Sequence, residues 1–236
     1  MSGTGFTADI TASATTTCAG SSVTLTVTAG DKTLDELYDW VAWYESENPA
    51  LVWDNNKTSL LSTADGTNIA LYPGWMITVA AGASLSWGGK YLRASLQSEA
   101  DDPVLRILGT VTIGNAATPG VGSGLVIDSA VNSTFHAMLL SGSYRENTGL
   151  IIESGGAFNL YGVFETNLPV ENFGTWSMRG AIFKIEGIAD NGVSNAFTNQ
   201  VGSIASWESS QLVSGGTLEG QFTWRAAPAL YEGMAI

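Results

Sequence analysis

The stretch GLIIESGGAFNLYGVFET, residues 149–166, holds two strand-length apolar pulses separated by a Gly-Gly-Ala turn. Its only charges are Glu153 and Glu165. Pulses this short are strands rather than helices, and alternate residues within a strand divide between its two faces. Leu150 and Ile152 read as one inward face, residues 153–156 as a corner, and Phe158, Leu160 and Val163 as the next inward face. Glycine suits such corners because it accepts positive φ. A chain built from units of this kind buries its apolar faces only by stacking one unit on another.

Similar pulses recur along the chain. SSVTLTVTAG sets Val23, Leu25 and Val27 on one face and Thr24 and Thr26 on the other, a half-buried strand. Further strands are predicted at 75–79, 83–87, 90–94, 104–113, 124–129, 149–154 and 174–179. Gly124, Gly149 and Gly174 recur at intervals of about 25 residues, each ahead of a strand. AGASLSWGG at 81–89 resembles GGAFNLYGV at 155–163, close to three such intervals later. A period of this size matches one rung of a parallel β-helix. An antiparallel β-sandwich or jelly roll also gives short strands with frequent turns and stands as the alternative.

One segment breaks the pattern. In GDKTLDELYDWVAWYESENPA, Thr33 and Glu36 form a capping-box pair, and Leu34, Leu37, Tyr38 and Val41 fall at helical spacing. Asp35, Glu36 and Asp39 suit the positive end of a helix dipole, and Asn48-Pro49 stops the helix. The spacing predicts an amphipathic helix over about 34–47, docked through Leu34, Leu37, Tyr38 and Val41. The expected fold is therefore all-β, a parallel β-helix-like stack with one N-terminal amphipathic helix. Residues 1–50 form a strand-plus-helix module and 51–236 a β-rich stacked domain.

Composition narrows the function. Charged residues are 13% of the chain against about 25% in typical soluble domains, so Ser, Thr, Asn, Gln and Gly must supply much of the surface. The formal net charge is −13, with only nine Lys and Arg, which provides no basic stripe for nucleic acid and no attraction to an anionic membrane. Cys18 is the single cysteine, so neither an intrachain disulfide nor a thiolate zinc site is expected. The segment MSGTGFTADI lacks the basic and apolar regions of a secretory signal. Synthesis in a cytosol with an exterior type of composition is the combination expected of a virion protein released by lysis.

Catalytic signatures are sparse. His136 is the single histidine, in NSTFHAMLL, and Gly-x-Ser-x-Gly is absent, which leaves a serine triad unsupported. In a 25-residue stack Asp128 and Glu153 would align one above the other, about 5 Å apart, the separation of a retaining glycosidase pair. Solvated corner residues are the simpler reading, with Glu165 as a further carboxylate on β-structure. Glu99, Asp101 and Asp102 crowd a loop without the spacing of a calcium site, and GVGSGL lacks the Lys-Ser/Thr of a phosphate loop. Neither a catalytic residue, a metal site nor a cofactor is assigned. Of eight tryptophans, Trp87 and Trp207 alternate with small polar residues and are the candidates for an exposed glycan or protein contact.

The pulses VAAGASLSWGG, GTVTIGN and LIIESGGAFNLYG, together with the helix TLDELYDWVAWY, resemble the rungs and modules of phage tailspike and tail-fibre β-helices and of capsid-decorating virion surface proteins. The resemblance covers roughly residues 20–225 and transfers no catalytic residue. It implies a non-catalytic, homotrimeric structural protein of a bacteriophage virion surface, a tail fibre or spike component or a capsid decoration. Its partners would be its own copies, other virion proteins and a host surface glycan. A β-helix polysaccharide depolymerase and a bacterial surface adhesin are the alternatives.

Overall fold

Alternation along each strand decides which residues enter the core. In β2 (Val23–Val27), Val23, Leu25 and Val27 are fully buried while Thr24 and Thr26 face outward. The computed structural model describes residues 9–16, 22–51, 68–71, 74–96, 103–120, 122–129, 149–185, 196–214, 217–221, 223–224 and 229–230. Cys18, Glu99, Asp101, Asp102 and His136 lie outside the described residues.

The fold is mostly β, in three sheets. The first contains β1 (Ile10–Ala12), β2, β5 (Trp75–Val79), β8 (Leu105–Ile107), β11 (Leu150–Ile152), β14 (Val170–Asn172), β17 (Ala196–Asn199) and β20 (Thr217–Gly220), in that order. The second runs β3 (Asp31–Thr33), β6 (Ser84–Trp87), β9 (Thr110–Ile113), β12 (Ala157–Leu160), β15 (Thr175–Arg179), β18 (Ile204–Glu208) and β21 (Thr223–Trp224). The third runs β4 (Asn68–Ala70), β7 (Tyr91–Leu96), β10 (Gly124–Ser129), β13 (Val163–Thr166), β16 (Ile182–Ile185), β19 (Gln211–Ser214) and β22 (Ala229–Leu230). From β2 onward the chain visits the sheets in turn, so each strand pairs in parallel with the strand three places before or after it. Among the described strands only β1 and β2 pair antiparallel, which excludes the sandwich and jelly-roll alternative. Strands β2 and β3, from the first fifty residues, join the same sheets as the later strands.

The repeat of about 25 residues is not the structural repeat. Gly124 opens β10 in the third sheet, Gly149 precedes β11 in the first, and Gly174 precedes β15 in the second. Circuits are unequal in length, because Leu150 pairs with Val170 but Val170 pairs with Phe197. Corners absorb these differences while the strands stay in register. The likeness of the SLSW and AFNL segments does have a structural basis: both lie in the second sheet, linked through Thr110.

The three sheets enclose one core. Its centre is aromatic: Phe158, Trp176, Phe164, Phe183, Phe197 and Trp207 come from all three sheets and pack with centroids 4.7–6.2 Å apart. In the first sheet one inward column runs Val27, Val79, Ile107, Ile152 and then changes to Asn172 and Asn199. Both asparagines are buried, and the Asn172 amide donates to that of Asn199. The Asn172 Nδ2 donates to Asn199 Oδ1 at 2.6 Å and to the Ile204 carbonyl at 2.9 Å, while Asn199 Nδ2 donates to the Gln221 carbonyl at 2.6 Å. The Gly174 amide donates to Asn172 Oδ1 at 3.1 Å. The asparagines thus give otherwise buried corner groups their partners, which is what makes a polar pair tolerable in a core.

Helix α1 (Leu34–Glu47) follows β3 directly. The capping box is present: the Thr33 amide donates to Glu36 Oε2 at 2.8 Å and the Glu36 amide to Thr33 Oγ1 at 3.2 Å. The buried residues are Leu34, Leu37, Trp40 and Val41, with Tyr38 only half-buried. Tyr38 packs half-buried against the core beside them, and Trp40 extends the expected docking face: it stacks on Tyr44 at 4.8 Å, and the Tyr44 hydroxyl is anchored to the Ala14 carbonyl at 2.8 Å. The helix is also not an N-terminal amphipathic element: three strands precede it, and Trp43 is exposed on its outer side. Leu37 is fully buried, so Leu37→Ala should cost about 2–5 kcal/mol in urea unfolding. An unfolding midpoint equal to that of the parent chain would refute this docking.

Candidate functional site

Strands of the second sheet leave it at a corner and enter the third, and here the surface is hollow. A groove of about 580 Å³ is lined by Thr33, Leu34 and Asp35 from the start of α1, Ser86 to Gly88 and Lys90 from the β6–β7 corner, Thr112 from β9, Gly114 to Ala116, and Tyr161. A second lobe of about 520 Å³ shares Gly88, Gly114, Asn115 and Tyr161 and continues over Thr118 to Gly120, Gly122 and Ser123. The loop after β9 forms its wall. It is tied down by the Gly114 amide donating to the Trp87 carbonyl and the Gly120 amide to the Tyr161 carbonyl, both at 2.8 Å. Gly114 has φ +83°, and a Cβ there would press on the Tyr161 and Gly162 backbone, so glycine is what this turn admits.

The groove mixes polar and apolar lining, with Tyr161 as its aromatic edge. Asn115 is exposed, while Tyr161, Ser86 and Thr112 are half-buried. Asn159 Nδ2 donates weakly to Thr112 Oγ1 at 3.4 Å. The Ser86 and Tyr161 hydroxyls have no hydrogen-bond partner among the described residues. At the rim the Lys90 ammonium is paired with the Asp35 carboxylate, which cancels the formal charge. Glu36 does not join them: hydrogen bonds from the Thr33 amide, then the Thr33 hydroxyl, hold its carboxyl below the usual carboxylate range and aim it back at the cap. Nearby, burial and then the Glu165 charge raise the Tyr91 phenol.

The tryptophans expected at an exposed contact are both buried. Trp87 is only 6% exposed and donates its indole N–H to the Gly124 carbonyl at 2.9 Å. It belongs to the lining of the groove while being almost wholly buried. Trp207 is 1% exposed and sits among Phe183 and Phe197. In SLSW and ASW the serines alternate with tryptophan, and it is the small polar residue that turns outward. The residue missed by sequence reasoning is Tyr161, which ends the AFNLYG pulse at the groove.

Asp128 and Glu153 do not stack in register as expected. Asp128 lies in β10 in register with Ser95 of the third sheet, whereas Glu153 follows β11 of the first. The Glu153 carboxylate accepts from Arg106, with Nη2 at 2.6 Å and Nε at 2.8 Å. Glu165 faces Lys184 at 3.9 Å, its register partner. Both pairs join neighbouring circuits. Among the described residues no group of three or more His, Cys, Asp or Glu is placed to hold a metal ion. No described helix is long and apolar enough to cross a membrane. No protein-family model, curated protein or solved structure matches this chain.

Proposed function

We propose that the stack is a parallel β-helix and that the chain is a non-catalytic structural protein of a bacteriophage virion surface. It serves as a tail fibre or spike component or as a capsid decoration, made in the host cytoplasm, and supports particle stability or host attachment. The observation that carries the reading is the run of parallel strands in three sheets around one aromatic core. Such a stack is stiff along its axis and presents the same faces at every circuit, which suits a structural rod. Partners are its own copies in a homotrimer, other virion proteins and a host surface glycan, without nucleic acid or membrane. Self-association is favoured by a ridge at one corner, where Phe173, Val201 and Ile204 are 41%, 106% and 56% exposed.

A polysaccharide depolymerase on the same scaffold would need two carboxyls facing across a cleft. The separation of Asp128 from Glu153 onto different sheets disfavours it. Purified protein incubated with host capsule or lipopolysaccharide is expected to release neither reducing ends nor unsaturated sugars. Cleavage that is lost in Asp128→Asn or Glu153→Gln would establish the enzyme instead. Native mass measurement should give a trimer, and antibody labelling should place it on particles; a stable monomer at micromolar concentration would remove the trimer from the reading.

A further inference from the structure

We propose that the groove at the corner between the second and third sheets binds an uncharged saccharide chain. This deepens the attachment half of the proposed function, and rests on it only for the biological source of the sugar. Each lobe, about 580 and 520 Å³, has the size of a small-ligand site, and the two are continuous through Asn115 and Tyr161. Sugars are recognised by an aromatic ring packed on their C–H face together with hydroxyls and amides for their hydroxyls. Tyr161 supplies the first; Ser86, Thr112 and Asn115 supply the second, and the Ser86 and Tyr161 hydroxyls have no protein partner to give up among the described residues.

Charge selects the neutral class. Lys90 is the cation in the groove lining, and Asp35 already neutralises it. The chain as a whole carries −13, so an anionic sugar would meet repulsion without a compensating free cation in the lining. The site also stands on strand ends and on corners tied by backbone hydrogen bonds, so little ordering is left for the ligand to impose.

The test uses the intact chain on an immobilised set of neutral hexose and N-acetylhexosamine oligosaccharides beside uronate and sulfated ones. Binding is expected to at least one neutral probe, weakened about tenfold or more by Tyr161→Ala and unchanged by Lys184→Ala on the third sheet. Should Tyr161→Ala fail to fold, Ser86→Val removes a groove hydroxyl while keeping a residue that strands favour, and should weaken the same probe several-fold. Binding to acidic probes alone, binding indifferent to these groove substitutions, or no binding to any probe would each overturn the proposal. Because the measurement uses isolated protein, its failure is separate from a failure to find the chain on particles.

Discussion

Trp176→Ala is expected to lower the free energy of unfolding by about 3–5 kcal/mol, the range for removing a large buried aromatic. Trp176 is completely buried. Phe158 stacks on it at 4.7 Å, Phe197 meets it edge-on at 4.8 Å, and Phe183 lies at 5.2 Å. These partners belong to all three sheets, so the ring ties the sheets together at one level. Its parallel-register neighbours are Phe158 below and Ala205 above, a large-and-small alternation that makes room for the indole. Truncation leaves a cavity that strands locked in register cannot collapse to fill. Trp176→Phe should be much milder, because the indole N–H has no hydrogen-bond partner in the core and none is lost. Denaturant unfolding of both variants checks this. Equal losses for Ala and Phe would show that ring stacking does not hold this level together.

Gly156→Ala is expected to destabilise at or above the top of the roughly 1–3 kcal/mol that overpacking costs. A Cβ on Gly156 would lie far inside 3.0 Å of the Ile107 carbonyl oxygen, an approach that real Cβ atoms essentially never make. The obstacle is backbone of the preceding circuit, so no side-chain rotation relieves it. Moving Gly156 away would break the hydrogen bonds that flank it: the Ala157 amide to the Gly109 carbonyl at 2.8 Å and the Thr175 amide to the Gly156 carbonyl at 3.0 Å. Gly109 and Gly174 occupy the same corner in adjacent circuits and are pressed just as closely on carbonyls below them. Gly122→Ala is the control, since nothing lies within 4 Å of its added Cβ; it should stay within about 0.5 kcal/mol of the parent. A Gly156→Ala midpoint matching that of Gly122→Ala would contradict the close packing of this corner.

The legibility of the candidate site follows from the same geometry. Flanking serines make Trp87 and Trp207 look outward in the sequence, yet in ASW and SLSW the same alternation that buries Leu25 sends the tryptophan inward. That alternation by itself puts both in the core. Tyr161 carried no such signal. It lies beyond the end of β12, where strand alternation stops, and its exposure depends on the Gly114–Gly120 backbone brought alongside it. The groove is made of three corners and a helix start that are distant in sequence, so no local pattern could announce it.

Strand identity was determined locally. The 75–79 and 124–129 segments become β5 and β10 with their expected ends, and Thr33 with Glu36 starts the helix, because alternation and capping involve only near neighbours. Which strand lies on which was decided by the tertiary structure. Gly124, Gly149 and Gly174 look equivalent in sequence but belong to three different sheets, since corners of unequal length shift the count between circuits while parallel hydrogen bonding keeps the register. Asn172 and Asn199 are polar yet buried, because the assembled corner offers the Ile204 and Gln221 carbonyls that accept from their amides. Local chemistry sets what each segment is; the partners that make a buried polar group or a crowded glycine favourable exist only once the circuits have stacked.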